Sequence, residues 1–154
     1  MKQDTPSTNP NRPRTVLGFD YGKVRIGTAI GQELLKTARP LVILQARDQR
    51  PDWPAIARLI DEWRPDLLVV GVPRHADASR SSLTAAALRF GRQLRGRYSL
   101  PVELIDEHLS SWAASQALPP QPSRTRATRD DARAAAMILE TWFEHQDQAE
   151  PLSD

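Results

Sequence analysis

Hydrophobic residues in this chain form short, nearly continuous runs that alternate with segments where they recur every three or four positions. The runs predict buried strands, TVLGFD with its hairpin partner IGTAIG, then LVILQA, DLLVVGVP and PVELID. The periodic segments predict helices over residues 52–63, around Leu83 to Leu94, over 110–117 and over 130–144. Because helices separate the later strands, this order predicts an α/β fold with a mixed five-stranded sheet and helices on both faces.

The length of 154 residues is typical of one domain. We expect a folded domain over residues 15–144 between disordered tails, 1–14 and 145–154, and we expect the proline-rich LPPQPSRTRATR to be a loop. The first residues have no apolar signal region and no apolar run is long enough for a membrane span, which predicts a cytoplasmic protein. The absence of cysteine excludes disulfides and thiolate metal sites.

The net charge is only +2, but eighteen of the 21 basic residues are arginine. Clustered guanidinium groups suit phosphate contacts and suggest an anionic polymer as partner, although a solvated helix surface explains such clusters equally well. The two clusters are Arg74, Arg80, Arg89, Arg92, Arg95 and Arg97, and then Arg124, Arg126, Arg129 and Arg133.

Acidic residues come at the ends of two predicted central strands. Asp20 ends the first strand, and Asp106 and Glu107 end the fifth. The carboxyl ends of strands in an open α/β sheet are where ligand sites form. Asp131 shares the apolar face of the last helix, which should pack on the sheet, so we expect a third carboxylate to point toward the same region.

Each acid also has an ordinary local explanation. Asp20 could begin a turn, Asp106 and Glu107 could cap the next helix, and Asp131 could complete a capping box with Thr128. Three carboxylates at one sheet edge, however, would repel one another without a compensating cation. Oxygen ligands favour Mg²⁺ or Mn²⁺, and such ions support hydrolysis of phosphodiester bonds.

Four segments of the chain resemble the YqgF (RuvX) family of pre-16S rRNA nucleases, which is related in fold to Holliday-junction resolvases and to ribonuclease H. The segments are GFDYGKVRIGTAIG, VVGVPRHADAS, IDEHLSS and DDARAAAMILETWFE. They occur in the order of the family with suitable spacing. The resemblance implies a ribonuclease H-like fold and a metal-dependent nuclease that processes the 5′ end of precursor 16S rRNA.

Position by position, the resemblance implies that Asp20, Glu107 and Asp131 are catalytic and bind Mg²⁺ or Mn²⁺. The chain departs from the family pattern at three positions: histidine stands at 108 in place of arginine and at 75 in place of asparagine, and alanine stands at 78 in place of glycine. Basic residues near the acids are predicted to hold substrate phosphates, and these are Lys23, Arg25, Arg74, Arg80, His108, Arg124, Arg126 and Arg129.

Other functions remain open at this point. Resolution of four-way DNA junctions uses the same chemistry but requires a symmetric dimer with two sites, whereas a monomer suffices for RNA trimming. We therefore expect a monomer or weak homodimer that acts on RNA, with branched DNA as the alternative. A non-catalytic nucleic-acid-binding assembly factor would keep the basic surface and lack cleavage. The phosphate loop of actin-like ATPases resembles the first hairpin, but those proteins need two such domains.

Overall fold

The computed structural model describes residues 13–22, 24–47, 50–73, 82–107, 109 and 126–152. Within these residues the chain forms one seven-stranded sheet with helices packed on both of its faces. The strands are β1 (Thr15–Tyr21), β2 (Arg25–Gln32), β3 (Thr37–Arg47), β4 (Arg50–Pro51), β5 (Leu67–Val72), β6 (Val102–Asp106) and β7 (Glu150–Pro151). The helices are α1 (Trp53–Trp63), α2 (Ser82–Tyr98) and α3 (Arg126–Glu144), and a 3-10 turn spans Gln146–Gln148.

The sheet is mixed, as predicted, and its strand order is β4-β3-β2-β1-β5-β6-β7. The first three strands form an antiparallel meander, whereas β1, β5 and β6 are parallel neighbours. All six residues of β5 are buried, because this strand lies between β1 and β6 and is covered on both faces. The carboxyl ends of the three parallel strands therefore lie at one edge of the sheet.

Two apolar cores lie on opposite faces of the sheet. On one face, α1 and α2 pack their buried residues, among them Ile56 and Phe90, against the odd-numbered positions of β1. On the other face α3 alone covers the sheet with residues such as Ile138 and Trp142. Along the central strands, alternate residues belong to one or the other of these two cores.

The prediction of five strands was wrong by two short edge strands. β4 and β7 contain only two residues each, too few for any hydrophobic period to reveal them. The chain after residue 144 was expected to be a disordered tail, but it includes β7. There the Leu152 amide donates to the Val102 carbonyl at 2.8 Å, and the Leu152 side chain packs on the core of α1 and α2.

Two other boundaries differ from the sequence-based expectation. The last helix begins at Arg126 and not near residue 130, so Thr128 lies inside it and does not cap it. The four added residues include no proline or glycine to prevent helix formation. Arg14, expected in the N-terminal tail, forms two 2.9 Å hydrogen bonds with Glu33. Within the described residues, no helix is long and apolar enough to cross a membrane.

Candidate active site

Asp20 lies near the carboxyl end of β1, in the centre of the sheet. Its cross-strand partner in the parallel pair is Gly71 of β5, and the partner of Gly71 in turn is Ile105 of β6. These three residues form one row across the sheet and share one face. Asp20 is only partly buried, whereas Gly71 and Ile105 are buried, so Asp20 is the residue of this row that solvent can reach.

The face that carries Asp20 is the one that α3 covers. Val16 belongs to the core under α3, and Gly18 and Asp20 follow it at the two-residue spacing of a strand. A Cβ atom on Gly18 would lie 2.6 Å from Leu139 Cγ, which shows that α3 rests directly on this line of residues. Asp20 is therefore the next position along the same line, toward the carboxyl edge.

Two neighbouring acids, Asp106 and Glu107, come at the end of β6, and strand alternation assigns the first of them to a face. Val102 and Leu104 belong to the core under α1 and α2, and Asp106, paired with Val72, continues that series. Ile105 belongs to the core under α3, and Asp106 therefore lies on the face opposite to Asp20. Glu107 directly follows β6 as a helical residue, so strand alternation ends before it, but it lies at the same carboxyl edge as Asp20.

The direction of α3 relates its first turns to the same edge. Trp142 contacts Glu103 near the start of β6, and Ile138 lies against Gly71 near the end of β5. Lower residue numbers on α3 are thus closer to the carboxyl edge. Asp131 lies seven residues, or two turns, before Ile138, about 10 Å farther along the helix axis. The structure describes the backbone of Asp131 but not its side chain.

The close approach of α3 to the sheet depends on glycines. A Cβ atom at Gly71 would lie 2.4 Å from Ile138 Cδ1, closer than side-chain atoms tolerate. Gly31 is similarly close to Phe143, at 3.0 Å from Cζ. The helix can therefore lie low over the strands only because these positions have no side chain. This contact sets the height of α3 above the row that contains Asp20.

Polar contacts fix the opposite end of α3. Trp142 donates its Nε1 hydrogen to Glu103 Oε1 at 2.8 Å, and the Arg14 guanidinium lies 5.4 Å from the centre of the Trp142 ring. Glu33 accepts from both Arg14 and Gln146 at 2.9 Å. The hydrogen bond from Arg14 is the main reason that the pKa of Glu33 lies below its usual value, and the same bond raises the pKa of Arg14.

The hairpin between β1 and β2 brings a basic residue to the same edge. Asp20 pairs with Gly27, and Arg25 lies two residues before Gly27 on the same face of β2. Diagonal neighbours of this kind have Cα atoms about 7–8 Å apart. A Cβ atom on Gly22 would lie 2.6 Å from the Arg25 carbonyl oxygen, so the tight turn requires glycine there. Arg25 thus lies near Asp20 at the same edge of the sheet.

Arg25 is the only predicted phosphate-contact residue whose side chain the structure describes. Arg126 and Arg129, expected in a loop, lie in the first turns of α3, and their side chains are not described. The other predicted contacts lie outside the described residues, as do the departures at His75 and Ala78 and the predicted helix over 110–117; these contacts are Lys23, Arg74, Arg80, His108 and Arg124. Among the described side chains, which exclude that of Asp131, no three acids or histidines form a metal-binding group.

Gly71 is the residue at this site that sequence reasoning missed. It sits inside the buried run DLLVVGVP, where a glycine weakens a strand unless another group must approach closely. The position of this glycine inside a buried strand was the feature of the sequence that indicated a close contact. The sequence could not show that Ile138 is the approaching residue, because the pairing of α3 with β5 is a long-range contact.

Comparison with known proteins identifies the family of this chain. Residues 14–145, nearly the whole described chain, match the family RuvX, described as Holliday junction resolvase. The chain belongs to the RuvX family. A "Putative pre-16S rRNA nuclease" of Nitrosococcus oceani is 48% identical over 93% of this chain and 93% of its own length. A protein of the same name from Paraburkholderia phymatum is 46% identical over 86% of this chain and 87% of its own.

Solved structures agree with the RuvX assignment at the level of the fold. RuvC of Thermus thermophilus in complex with a Holliday junction substrate has a TM-score of 0.53 to this chain and 20% identity, covering 90% of this chain and 99% of RuvC. The predicted ribonuclease H-like α/β fold is therefore confirmed. The RuvX family is a family of nucleases, so the chain is a hydrolase that acts on ester bonds of nucleic acid.

Proposed function

We propose that this RuvX protein is a cytoplasmic, divalent-metal-dependent nuclease that processes the 5′ end of precursor 16S rRNA. Its relatives at 44–48% identity have the name of that activity. We further propose that residues 15–144 form one nuclease domain. The proposed reaction is hydrolysis of a phosphodiester bond at the edge of the sheet that the carboxyl ends of β1, β5 and β6 form.

The observation that carries this proposal is the register of the sheet. Asp20, on β1, and Glu107, directly after β6, lie at one edge of the sheet, and the face that carries Asp20 is covered by the helix that bears Asp131. A carboxylate on a central strand is held by two neighbouring strands, so its backbone cannot move away from its partners. Such a fixed position is what a metal ligand needs.

The donor set suits a hard divalent cation. Carboxylate oxygens are the ligands that Mg²⁺ and Mn²⁺ prefer, and the chain has no cysteine that would select a softer metal. Asp20, Glu107 and Asp131 would hold the ion. When bound, a divalent ion of this type supplies Lewis-acid activation of water and of the leaving oxygen.

The protein side chains have a separate task, which is to position the substrate. Arg25 lies beside Asp20 and would hold a non-bridging phosphate oxygen through its guanidinium group. The predicted contacts from Lys23, Arg74, Arg80, His108, Arg124, Arg126 and Arg129 would extend this positioning along the backbone. Such contacts fix where the strand lies and carry no information on its sequence.

One cleavage assay tests this function. Wild type and Asp20→Asn are offered a precursor rRNA fragment and a four-way DNA junction with Mg²⁺ or Mn²⁺. We expect metal-dependent cleavage of the rRNA fragment by wild type, and loss of at least a hundredfold in rate for Asp20→Asn. Equal cleavage by both proteins would contradict the assignment of the site.

Junction resolution is the second candidate, since the family is described as a Holliday junction resolvase and a RuvC–junction complex shares the fold. It predicts a dimer with two active sites. Cleavage of the junction alone, by a protein that sediments as a dimer, would favour this second function. RNA cleavage by a monomer would favour rRNA processing.

A further inference from the structure

Helix α2 has an unusual charge distribution. Its 17 residues, SLTAAALRFGRQLRGRY, include four arginines and no acidic residue. The inner side of the helix is buried against the sheet through Ala87, Phe90 and Leu94. Arg89 and Arg92 lie on the exposed side. The outer face of α2 is therefore a positively charged surface that the core does not use.

Arg89 and Arg92 differ in their contacts from two other exposed arginines on this face of the sheet. Arg97 of the same helix stacks on the Trp53 ring at 4.0 Å, and Arg64, the residue after α1, forms a 3.8 Å ion pair with Asp61. Among the described residues, Arg89 and Arg92 have no ion-pair, hydrogen-bond or ring partner. Their guanidinium groups remain available to an outside ligand.

Among the residues that the structure describes, the surroundings of the two arginines leave room for an extended ligand. Apart from Arg97, the other exposed residues of α2 are small or uncharged, namely Ala85, Gln93 and Gly96. A Cβ atom added at Gly96 would meet nothing within 4 Å. Large exposed apolar side chains among the described residues all lie elsewhere, so the surface offers charge without a ring for base stacking.

The first turn of α2 lies at the same edge of the sheet as the candidate active site, on the opposite face of the sheet. Thr84, in the first turn, donates its hydroxyl hydrogen to the carbonyl of Pro73, which directly follows β5. The helix therefore begins at the carboxyl edge that carries Asp20. Arg89 and Arg92 lie about 10 and 15 Å along the helix axis from its first residue.

We propose that the outer face of α2 is a second nucleic-acid surface, on which Arg89 and Arg92 bind backbone phosphates of the substrate outside the cleavage site. Guanidinium groups match phosphate oxygens in geometry and charge, and a surface without aromatic rings binds the backbone and not the bases. The ligand is thus the sugar-phosphate backbone of the RNA substrate, whatever its base sequence. This inference rests on the proposed function only in that the ligand is the substrate strand.

The test measures binding of a long fluorescent single-stranded RNA in the presence of EDTA, so that cleavage does not enter. Each phosphate contact on a single strand contributes about 0.7 to the slope of log K against log salt concentration. For Arg89→Gln/Arg92→Gln we expect the slope to fall by about 1.4 and the Kd at low salt to rise about tenfold. Arg89→Lys/Arg92→Lys keeps both charges and should retain most of the slope.

The matched control is Arg58→Gln/Arg64→Gln on α1, which removes the same charge from the same side of the sheet. On α1 the acids Asp61 and Glu62 accompany the arginines, so we expect little change in the slope. Equal losses in the two double variants would show a general effect of net charge and would overturn the proposal. Unchanged binding in the α2 variant would also overturn it.

A cleavage assay distinguishes failure of this inference from failure of the proposed function. If wild type cleaves, the α2 variant should show a higher KM for a long RNA and an unchanged rate for a short oligonucleotide that spans only the cleavage point. If wild type binds RNA with the predicted slope but does not cleave, the proposed function fails and the α2 surface stands. Circular dichroism and thermal unfolding check that each variant is folded.

Discussion

Substitution of Gly71 by alanine tests how closely α3 must approach the row that contains Asp20. The new Cβ atom would lie 2.4 Å from Ile138 Cδ1 and 2.9 Å from its Cγ1. Ile138 is fully buried, and in a close-packed core its side chain can move aside only by displacing its neighbours. Overpacking of this kind lowers the free energy of unfolding by about 1–3 kcal/mol.

A second substitution makes this prediction specific. Ile138→Val removes the Cδ1 atom and alone costs about 0.5–1.5 kcal/mol of unfolding free energy. In the Gly71→Ala background it should instead restore stability, because it removes the closest clash. Gly18→Ala meets Leu139 and not Ile138, so Ile138→Val should not rescue that variant.

The assay is a double-mutant cycle by urea denaturation, in which residues that clash show a coupling energy. Cleavage rates of the same proteins show whether the height of α3 matters for the site: Gly71→Ala should cleave slowly, and the double variant should recover. Strictly additive free energies for Gly71→Ala and Ile138→Val would refute the reasoning.

Two further predictions concern the far end of α3. Trp142→Phe removes the hydrogen bond to the Glu103 carboxylate and should lower the unfolding free energy by about 1.5–3 kcal/mol, whereas Glu103→Gln, which keeps an acceptor, should cost less; equal costs in denaturant titrations would contradict this. The lowered pKa of Glu33 means that its contact with Arg14 stabilises the fold above the unfolded-state value of about 4.3 and is lost as pH falls through the lower folded-state value. The difference in unfolding free energy between wild type and Glu33→Gln should therefore shrink in acid, and a constant difference would contradict that role.

Much of the sheet could be predicted from the sequence because its central strands are nearly continuous apolar runs. β5 is the clearest example, since all of its residues are buried. The order of strands and helices then predicted which strands are parallel and which edge holds Asp20 and Glu107. Local patterns were sufficient there because burial and connection length determine both features.

The features that could not be predicted depend on long-range contacts. β7 forms because residues after α3 return to β6, and a two-residue strand has no period of its own. The helical conformation of Arg126 to Arg129 was hidden by the neighbouring proline-rich segment. Likewise, the glycine at position 71 is explained only by Ile138, which lies 67 residues later in the chain.

The central claim is that Asp20, Glu107 and Asp131 act together at one edge of the sheet. Single-turnover cleavage of a precursor rRNA fragment tests it most directly, with Asp20→Asn, Glu107→Gln and Asp131→Asn beside the matched control Asp106→Asn. We predict a loss of at least a hundredfold in rate for the three variants and less than tenfold for Asp106→Asn, whose position follows the opposite face. Retained cleavage in the three variants, or an equal loss in Asp106→Asn, would contradict the account.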